Sequence, residues 1–249
     1  MKLPESESSV RPAERPEIAT LPLFRDMGEA ERNRIFSGSF LQVFPPQLTL
    51  FELGQRADFL HVLVDGLAEL YAHSAGRDTT MRIVEPVTSF ILAAVVTDMP
   101  YLMSARTLTS SRVLLVPAAL VREVIKQDTA LMQATMHELA LGYRDVVRAL
   151  TDMKLRQSAE RLGNLILQQE RRQGSTGRVQ LRAEKRVLAS LLGMTPENLS
   201  RSLAALVDYG VEVHGPTVTI SRPAALERLA KPDPLIDNHQ PVTDTPTSK

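Results

Sequence analysis

The feature that most constrains the fold of this chain is a pair of short apolar-periodic runs on either side of Gly193. The first run, 183–192, has apolar residues at helical spacing, and glycine is common just after a helix end. Thr195 can cap a second helix with its hydroxyl, Pro196 fits the first helical position, and the apolar period continues to Tyr209. Two helices joined by so short a glycine turn are typical of a helix-turn-helix.

A two-stranded wing is expected directly after the second helix. The segment VEVHGPTVTI has two alternating apolar runs around His214, Gly215 and Pro216. Residues 154–214 hold ten Lys and Arg against six Asp and Glu, whereas residues 1–153 hold fifteen against nineteen. Although the net charge of the whole chain is zero, its basic third therefore suits a polyanionic partner such as double-stranded DNA.

Three polar side chains near the start of the second helix suit base recognition, because this helix of the motif lies in the major groove. Arg201 can donate two hydrogen bonds to guanine, Glu197 can accept one from cytosine, and Ser200 can make a smaller contact. The alternative is a solvated helix face with a salt bridge between Glu197 and Arg201. Five neighbours are expected to contact the DNA backbone or to support the base contacts: Arg182, Lys185, Arg186, Thr195 and Asn198.

Residues 127–153 are expected to form one long helix with a narrow apolar seam. The seam residues are spaced alternately 4 and 3 apart: Met132, Met136, Leu139, Tyr143, Val146, Leu150 and Met153. Such a helix can pack against its own domain or against an identical helix, and the strict 3.5-residue repeat favours the second arrangement. We therefore expect a homodimer with two-fold symmetry.

Residues 18–126 are expected to form an antiparallel β domain, since short alternating runs from Phe40 to Pro117 are separated by turn residues. This spacing is typical of a sandwich or barrel. The predicted fold class is therefore α+β, with a β-barrel domain, a dimerisation helix and, over residues 154–230, a winged helix-turn-helix domain. The proline-rich ends, 1–17 and 231–249, are expected to be disordered tails.

Composition excludes several classes of function. The chain has no cysteine, so it can hold neither a cysteine-ligated iron–sulfur cluster nor a thiolate metal site. It has no run of about 18 apolar residues and no apolar signal segment at its N-terminus, so we expect a cytoplasmic protein without a membrane partner. Phosphate-binding glycine loops, His-Glu-x-x-His and Gly-x-Ser-x-Gly are absent from the sequence, and we expect no enzymatic activity.

The order of short-stranded barrel, long helix and winged motif, together with the segment GMTPENLSRSLAAL, resembles the family of the catabolite activator protein and the fumarate–nitrate reductase regulator (CRP/FNR). The resemblance covers about residues 20–230. It implies a homodimeric transcription regulator with an effector-sensing jelly roll like a cyclic-nucleotide-binding domain, and RNA polymerase as a further partner.

The recognition residues resemble the fumarate–nitrate branch of the family, which carries Glu-x-x-Ser-Arg. That pattern is present as Glu197, Ser200 and Arg201. The cyclic-AMP branch has an arginine before the glutamate, where this chain has Pro196. The resemblance therefore implies a palindrome of TTGAT-like half-sites.

The effector is not expected to be a cyclic nucleotide. Members that bind one carry Gly-Glu and then Arg-Ser/Thr-Ala, where the arginine neutralises the phosphate. The corresponding stretch here places Phe90, Leu92 and Met103 in the effector pocket, and a phosphate buried among these side chains would lack a charged partner. Arg106, two residues beyond the arginine region, leaves a cyclic-nucleotide-responsive regulator as an open alternative, beside a regulator that needs no effector.

An apolar pocket and a few histidines resemble the nitric-oxide-responsive and carbon-monoxide-responsive branches, which implies haem or another apolar effector. The candidate haem ligands are His61, His73 and His137. Each also suits a purely structural place: a sheet, a turn and the edge of the helical seam. A module that binds a nucleotide and controls a partner protein without DNA would have an intact phosphate arginine and no recognition helix.

Overall fold

The computed structural model of the protein describes residues 10–74 and 76–237. The chain divides into two compact units within its longest helix, between Tyr143 and Arg144.

The first unit contains an antiparallel jelly roll. Its strands are β1 (Phe40–Phe44), β2 (Thr49–Phe51), β3 (Phe59–Asp65), β4 (Ala68–Ser74), β5 (Arg77–Val84), β6 (Thr88–Phe90), β7 (Ser104–Thr107) and β8 (Ser111–Pro117). They form two four-stranded sheets, in the orders β1-β8-β3-β6 and β2-β7-β4-β5, which share one hydrophobic core. The expected α+β class is confirmed, but the sheets do not close into a barrel, since β1, β6, β2 and β5 remain edges among the described strands.

Four short helices and part of a long one surround these sheets. They are α1 (Arg15–Ala19), α2 (Glu29–Gly38), α3 (Leu92–Thr97), α4 (Ala118–Ile125) and α5 (Thr129–Leu155). The fifth helix matches the expected range of the long helix to within two residues at each end. Within its 27 residues, only Leu131 and Thr135 are buried.

The N-terminal segment differs from the disordered tail expected up to residue 17. Val10 is fully buried and its N–H donates to the carbonyl of Phe36 at 3.2 Å. The Glu17 carboxylate receives two hydrogen bonds from Arg112, at 2.8 and 2.9 Å. Composition alone suggested disorder, but residues 10–17 contact the first unit through buried Val10 and the ion pair of Glu17 with Arg112. The rest of the expected tail lies outside the described residues.

The second unit is a helical domain with a three-stranded sheet. After the end of α5 it comprises α6 (Ser158–Arg172), β9 (Arg178–Gln180), α7 (Lys185–Leu191), α8 (Pro196–Ala205), a 3-10 turn (Leu206–Tyr209), β10 (Val211–His214), β11 (Thr217–Ile220), α9 (Pro223–Ala230) and α10 (Pro234–Asp237). The wing predicted from alternation is the β10–β11 hairpin, and β9 adds a third strand beside β11.

The C-terminal segment also differs from the expected tail. Residues 234–237 form the short helix α10, and Asp237 is buried. The reason is an arginine partner that lies 81 positions earlier in the chain, Arg156. The remaining expected tail, 238–249, lies outside the described residues. No helix in the described part of the chain combines the length and apolar character needed to cross a membrane.

Candidate nucleic-acid interface and sensor interior

The helix-turn-helix forms from the local signals that predicted it. The first helix, α7, is followed by Gly193 in the left-handed region at φ +63°, where a side chain is costly. Thr195 caps α8, since its hydroxyl accepts a hydrogen bond from the backbone N–H of Asn198 at 3.2 Å. Leu199 and Leu203 are buried on the inner face of α8. The outer face of this helix is therefore fixed in orientation.

The three predicted base-reading residues, Glu197, Ser200 and Arg201, all lie exposed on that outer face. The Ser200 hydroxyl donates to the carbonyl of Pro196 at 3.0 Å. A hydrogen bond from its own backbone N–H, followed by one from Thr195, holds the pKa of Glu197 below its usual range. Glu197 is therefore an acceptor at neutral pH.

The salt bridge considered as an alternative does not form in the described structure: no ion pair within 4.0 Å joins Glu197 to Arg201. Lys185 and Arg186 lie exposed in the first turn of α7, and Arg182 lies exposed three residues before it. Of the five auxiliary residues, Thr195 has a visible structural role as the cap of α8.

The predicted seam of α5 is largely exposed. Met136, Tyr143 and Val146 are 65%, 72% and 66% exposed, and Met132 and Leu150 are exposed as well. Leu139 is different, because it packs against the hydrophobic core of the first unit. Val147 and Leu155 add exposed apolar surface that the heptad spacing did not select.

Met153, the last seam residue, lies against the turn of the helix-turn-helix in its own chain. A Cβ built on Gly193 would be 2.2 Å from its Cε atom and 3.1 Å from its Sδ atom. The last turn of α5 therefore contacts the DNA-binding motif directly. The absence of a side chain at Gly193 makes this contact possible.

The interior of the jelly roll is filled by aromatic rings. Phe51 stacks on Tyr101 with ring centroids 4.0 Å apart, and the His61 ring lies 4.8 Å from Phe51 and 5.4 Å from Phe90. The predicted pocket residues Phe90 and Leu92 are buried, and Met103 is half-buried. Sequence reasoning missed Phe51 and Tyr101, which come from distant parts of the chain.

His61 is buried with an unsatisfied ring nitrogen. Among the described residues, its Nδ1 atom has no hydrogen-bond partner, and burial lowers the pKa of the imidazole to about 4. The Tyr101 hydroxyl donates to the carbonyl of Phe59 at 3.0 Å, and burial raises its pKa to about 12. Both groups are therefore neutral at physiological pH.

The other two candidate haem ligands lie elsewhere. His73 is exposed and its Nδ1 atom lies 2.8 Å from the carboxylate of Asp78, while His137 is exposed on α5. In the described residues, no three His, Asp or Glu side chains gather in a group that could hold a metal ion. The three histidines thus do not form one site.

Arg106 is engaged outside the sensor interior. Its guanidinium donates to Glu69 and to Asp78, each at 2.8 Å, and stacks over the ring of Tyr71 at 4.3 Å. The second oxygen of Glu69 accepts from Thr80 at 2.5 Å. Because Glu69 is only 1% exposed, it needs this cation for charge compensation.

One short strand links the sensor interior to α5. β6 carries Phe90 at its end, and the hydroxyl of Ser89 donates to Glu138 of α5 at 3.2 Å. The residues on either side of β6, Val87 and Ile91, have positive φ values of 34° and 63°. Such values are unusual and strained for β-branched residues. Glu138, like Phe51 and Tyr101, was not identified from the sequence.

Comparisons with known proteins agree with this architecture. Residues 41–128 match the family model of the cyclic nucleotide-binding domain, and residues 160–229 match that of the Crp-like helix-turn-helix domain. Together the two models cover more than half of the chain. No curated protein matches the chain.

Solved structures share the fold at low sequence identity. FixK2 from Bradyrhizobium japonicum has a TM-score of 0.69 at 18% identity, covering 77% of this chain and 96% of its own. A CRP-family transcriptional regulator from Thermus thermophilus has a TM-score of 0.61 at 23% identity, covering 77% and 97%. The c-di-GMP-responsive global regulator CLP from Xanthomonas campestris has a TM-score of 0.65 at 17% identity, covering 78% and 99%.

A domain of the cyclic nucleotide-binding type, a long helix and a Crp-like helix-turn-helix together define a DNA-binding transcription regulator with an effector-binding domain. Proteins of this class are regulators rather than enzymes. The chain belongs to the CRP/FNR family of transcription regulators.

Proposed function

We propose that the protein binds, as a homodimer, a palindrome of TTGAT-like half-sites and that its sensor domain adjusts this binding. The observation that carries the proposal is the outward position of Glu197, Ser200 and Arg201 on a helix whose inner face is packed. Arg201 supplies two donors for guanine O6 and N7, and Glu197 supplies an acceptor for cytosine N4. Each such contact is worth about 1–3 kcal/mol of discrimination.

Dimerisation through α5 is supported by its exposed apolar stripe. A helix with so many exposed apolar side chains and only Leu131 and Thr135 buried gains most of its stabilisation by packing against a partner. A second copy of the same helix satisfies the heptad spacing. The two recognition helices would then enter successive major grooves about 34 Å apart.

The chemistry of the sensor interior supports an apolar effector over a cyclic nucleotide. By the family resemblance, Phe90, Leu92 and Met103 correspond to the region where a cyclic nucleotide's phosphate would lie, and Arg106 is held by Glu69 and Asp78. A buried phosphate would thus lack a cation, which costs several kcal/mol. Phe90, Leu92 and Met103 are apolar, and the imidazole of His61, whose ring lies 5.4 Å from that of Phe90, is neutral.

Haem does not fit this interior as it is packed. The neutral imidazole of His61 is chemically suited to bind iron, but the rings of Phe51 and Phe90 lie 4.8 and 5.4 Å from it, where a porphyrin would have to lie. A smaller apolar effector is the proposal that remains, with the unpartnered Nδ1 atom of His61 available for a hydrogen bond to it.

A regulator that needs no effector is the second candidate. It is favoured by one observation, the filling of the jelly-roll interior by stacked Phe51 and Tyr101. Contact with RNA polymerase and a cytoplasmic location complete the proposal, and they follow from the family resemblance.

The DNA proposal is tested by selecting duplexes from a random pool and measuring binding by fluorescence anisotropy. Arg201→Ala should lose about 5- to 150-fold in affinity for the selected palindrome and little for random duplex. Lys185→Ala, the control in the same motif, should weaken binding to both duplexes more evenly. Equal losses on both duplexes for Arg201→Ala would show that this residue does not read a base.

The dimer proposal is tested by sedimentation of Tyr143→Glu. Placing a charge in an apolar seam should give a monomer that has lost the palindrome. Val43→Glu is the matched control, because Val43 is 68% exposed on β1, away from the seam, and should leave both properties unchanged. A monomeric Tyr143→Glu with full affinity for the palindrome would refute the coupling of assembly to DNA binding.

The effector proposal is tested by two titrations on the purified protein. Cyclic AMP should produce no saturable heat of binding, and added haem should produce no Soret shift that depends on His61. A Soret shift abolished by His61→Ala would instead establish haem as the effector.

A further inference from the structure

The connection between α5 and α6 is two residues long, and its first residue is an arginine with a largely covered side chain. Arg156 is 9% exposed and donates to both oxygens of Asp237, at 2.7 and 2.6 Å. The Asp237 side chain is 3% exposed. A fork of two parallel hydrogen bonds between these charges fixes the orientation of both groups.

Further partners complete this junction. The Arg156 guanidinium also donates to Asp152 in the last turn of α5 at 2.8 Å. The Asp237 carboxylate accepts from the backbone N–H of Asp233 at 2.6 Å and from Gln168 at 3.3 Å. Burial, the largest single effect, opposes ionisation of Asp237, but the hydrogen bonds and charge of Arg156 together with the hydrogen bonds from Asp233 and Gln168 outweigh it and lower the pKa of the carboxyl. The pair is therefore charged at neutral pH.

A second arginine connects this junction to the helix-turn-helix by hydrogen bonds. Arg161, which is 8% exposed, donates to the carbonyl of Arg156 at 2.6 Å and to the carbonyl of Leu192 at 3.0 Å. Leu192 is the residue just before Gly193, and Met153 packs against Gly193 from the end of α5. The end of α5 is thus held to the turn of the motif by one apolar contact and by this chain of hydrogen bonds.

We propose that Arg156 and Asp237 are positioning residues that set the angle between the end of the dimerisation helix and the recognition helix. Neither residue needs to touch DNA. In a two-fold dimer, this angle determines the separation and tilt of the two recognition helices, and so the spacing of half-sites that the protein accepts. The inference rests on the proposed dimeric binding of a palindrome.

A purely structural clamp would stabilise the second unit without affecting which operators are bound. A positioning role makes a different prediction, because a looser junction lets each recognition helix follow a displaced half-site. Moving one half-site by a base pair displaces it by about 3.4 Å along the DNA axis. If the angle is fixed, this displacement costs binding free energy. If the junction is loose, the recognition helix can follow the displaced half-site and the cost is small.

The test measures binding of the full-length protein to the selected palindrome and to versions whose half-sites are one base pair closer or farther apart. We expect the wild-type protein to lose about tenfold or more in affinity on either altered spacing, equivalent to about 1.4 kcal/mol. Asp237→Asn should bind the original palindrome about tenfold more weakly, yet differ less than about threefold among the three spacings. Dimer mass should be unchanged.

The control is Lys231→Gln, which breaks an exposed ion pair with Glu160 (2.9 Å) in the same region and should keep the wild-type spacing profile. If Asp237→Asn does not fold, Arg156→Lys keeps the charge but cannot form the fork, and it should show the same flattened profile. Asp237→Glu, which keeps the charge, should restore part of the preference.

A wild-type spacing profile in folded Asp237→Asn or Arg156→Lys, with or without a lower melting temperature, would overturn the positioning role. A wild-type protein that binds an isolated half-site as tightly as the palindrome would overturn the proposed dimeric function, and this inference with it.

Discussion

The contact between Met153 and Gly193 allows a prediction that separates backbone strain from packing. Gly193→Ala places a side chain at φ +63°, which costs about 1–2 kcal/mol for an L-residue. The new Cβ would also lie 2.2 Å from the Cε atom of Met153, so that side chain must move. Overpacking of this kind costs about 1–3 kcal/mol, and the flexibility of methionine favours the lower end.

Gly215→Ala is the matched control. Gly215 lies in the turn of the wing at φ +61°, so its backbone cost equals that of Gly193. Nothing lies within 4 Å of a Cβ built there. The free energy of unfolding should therefore fall by about 1–2 kcal/mol in Gly215→Ala and by about 1 kcal/mol more in Gly193→Ala.

The assay is thermal unfolding of the full chain followed by circular dichroism or calorimetry. For a unit of about 100 residues, 1 kcal/mol moves the melting temperature by about 4–8 °C, so the extra loss in Gly193→Ala is measurable. Combining Gly193→Ala with Met153→Ala in a double-mutant cycle should give a favourable coupling energy. Equal losses in the two glycine variants, or no coupling to Met153, would refute the contact.

Three further predictions concern the sensor domain. The pKa of His61 is about 4 in the folded protein and about 6.5 in the unfolded chain. As the pH falls from about 6.5 to 4, the unfolded chain therefore binds a proton on His61 that the folded protein does not bind. The free energy of unfolding should fall by about 3 kcal/mol over that range. Urea unfolding at several pH values should show this loss diminished in His61→Phe, and an unchanged pH dependence would contradict it. Arg106→Ala leaves Glu69 buried without a cation and should cost about 3–5 kcal/mol in urea unfolding; adding Glu69→Gln should recover part of that, and no recovery would mean that charge is not the cause. Val87→Gly should raise the melting temperature by relieving a positive φ, whereas Val43→Gly in an ordinary strand should lower it; a loss in both would exclude strain at Val87.

The parts of the fold that were predictable from sequence depend on local signals. Gly193, Thr195 and Pro196 act within a few residues of one another, so both the turn and the capped helix could be located. The heptad spacing likewise found α5. It could not show that Leu139 packs on its own core, because a 3.5-residue repeat describes one helix face without naming what covers it.

Interactions between distant parts of the chain were not predictable. The stacking of Phe51 on Tyr101 depends on how strands and loops meet, which periodicity does not encode. Proline-rich composition at the C-terminus indicated disorder, yet Asp237 is buried by its pairing with Arg156. A single charged residue in a polar segment has no signature that would distinguish it from a solvated one.

The strained residues that flank β6 store conformational energy beside the sensor interior. A residue held in such a conformation stores about 1–3 kcal/mol, so Val87 and Ile91 together hold about 2–6 kcal/mol. Reversing a two-state population from 1:99 to 99:1 takes about 5.5 kcal/mol. Strain relief at Val87 and Ile91 reaches that figure only near the upper end of its range. A molecule that releases this strand would therefore supply the remainder through its own difference in affinity for the two states.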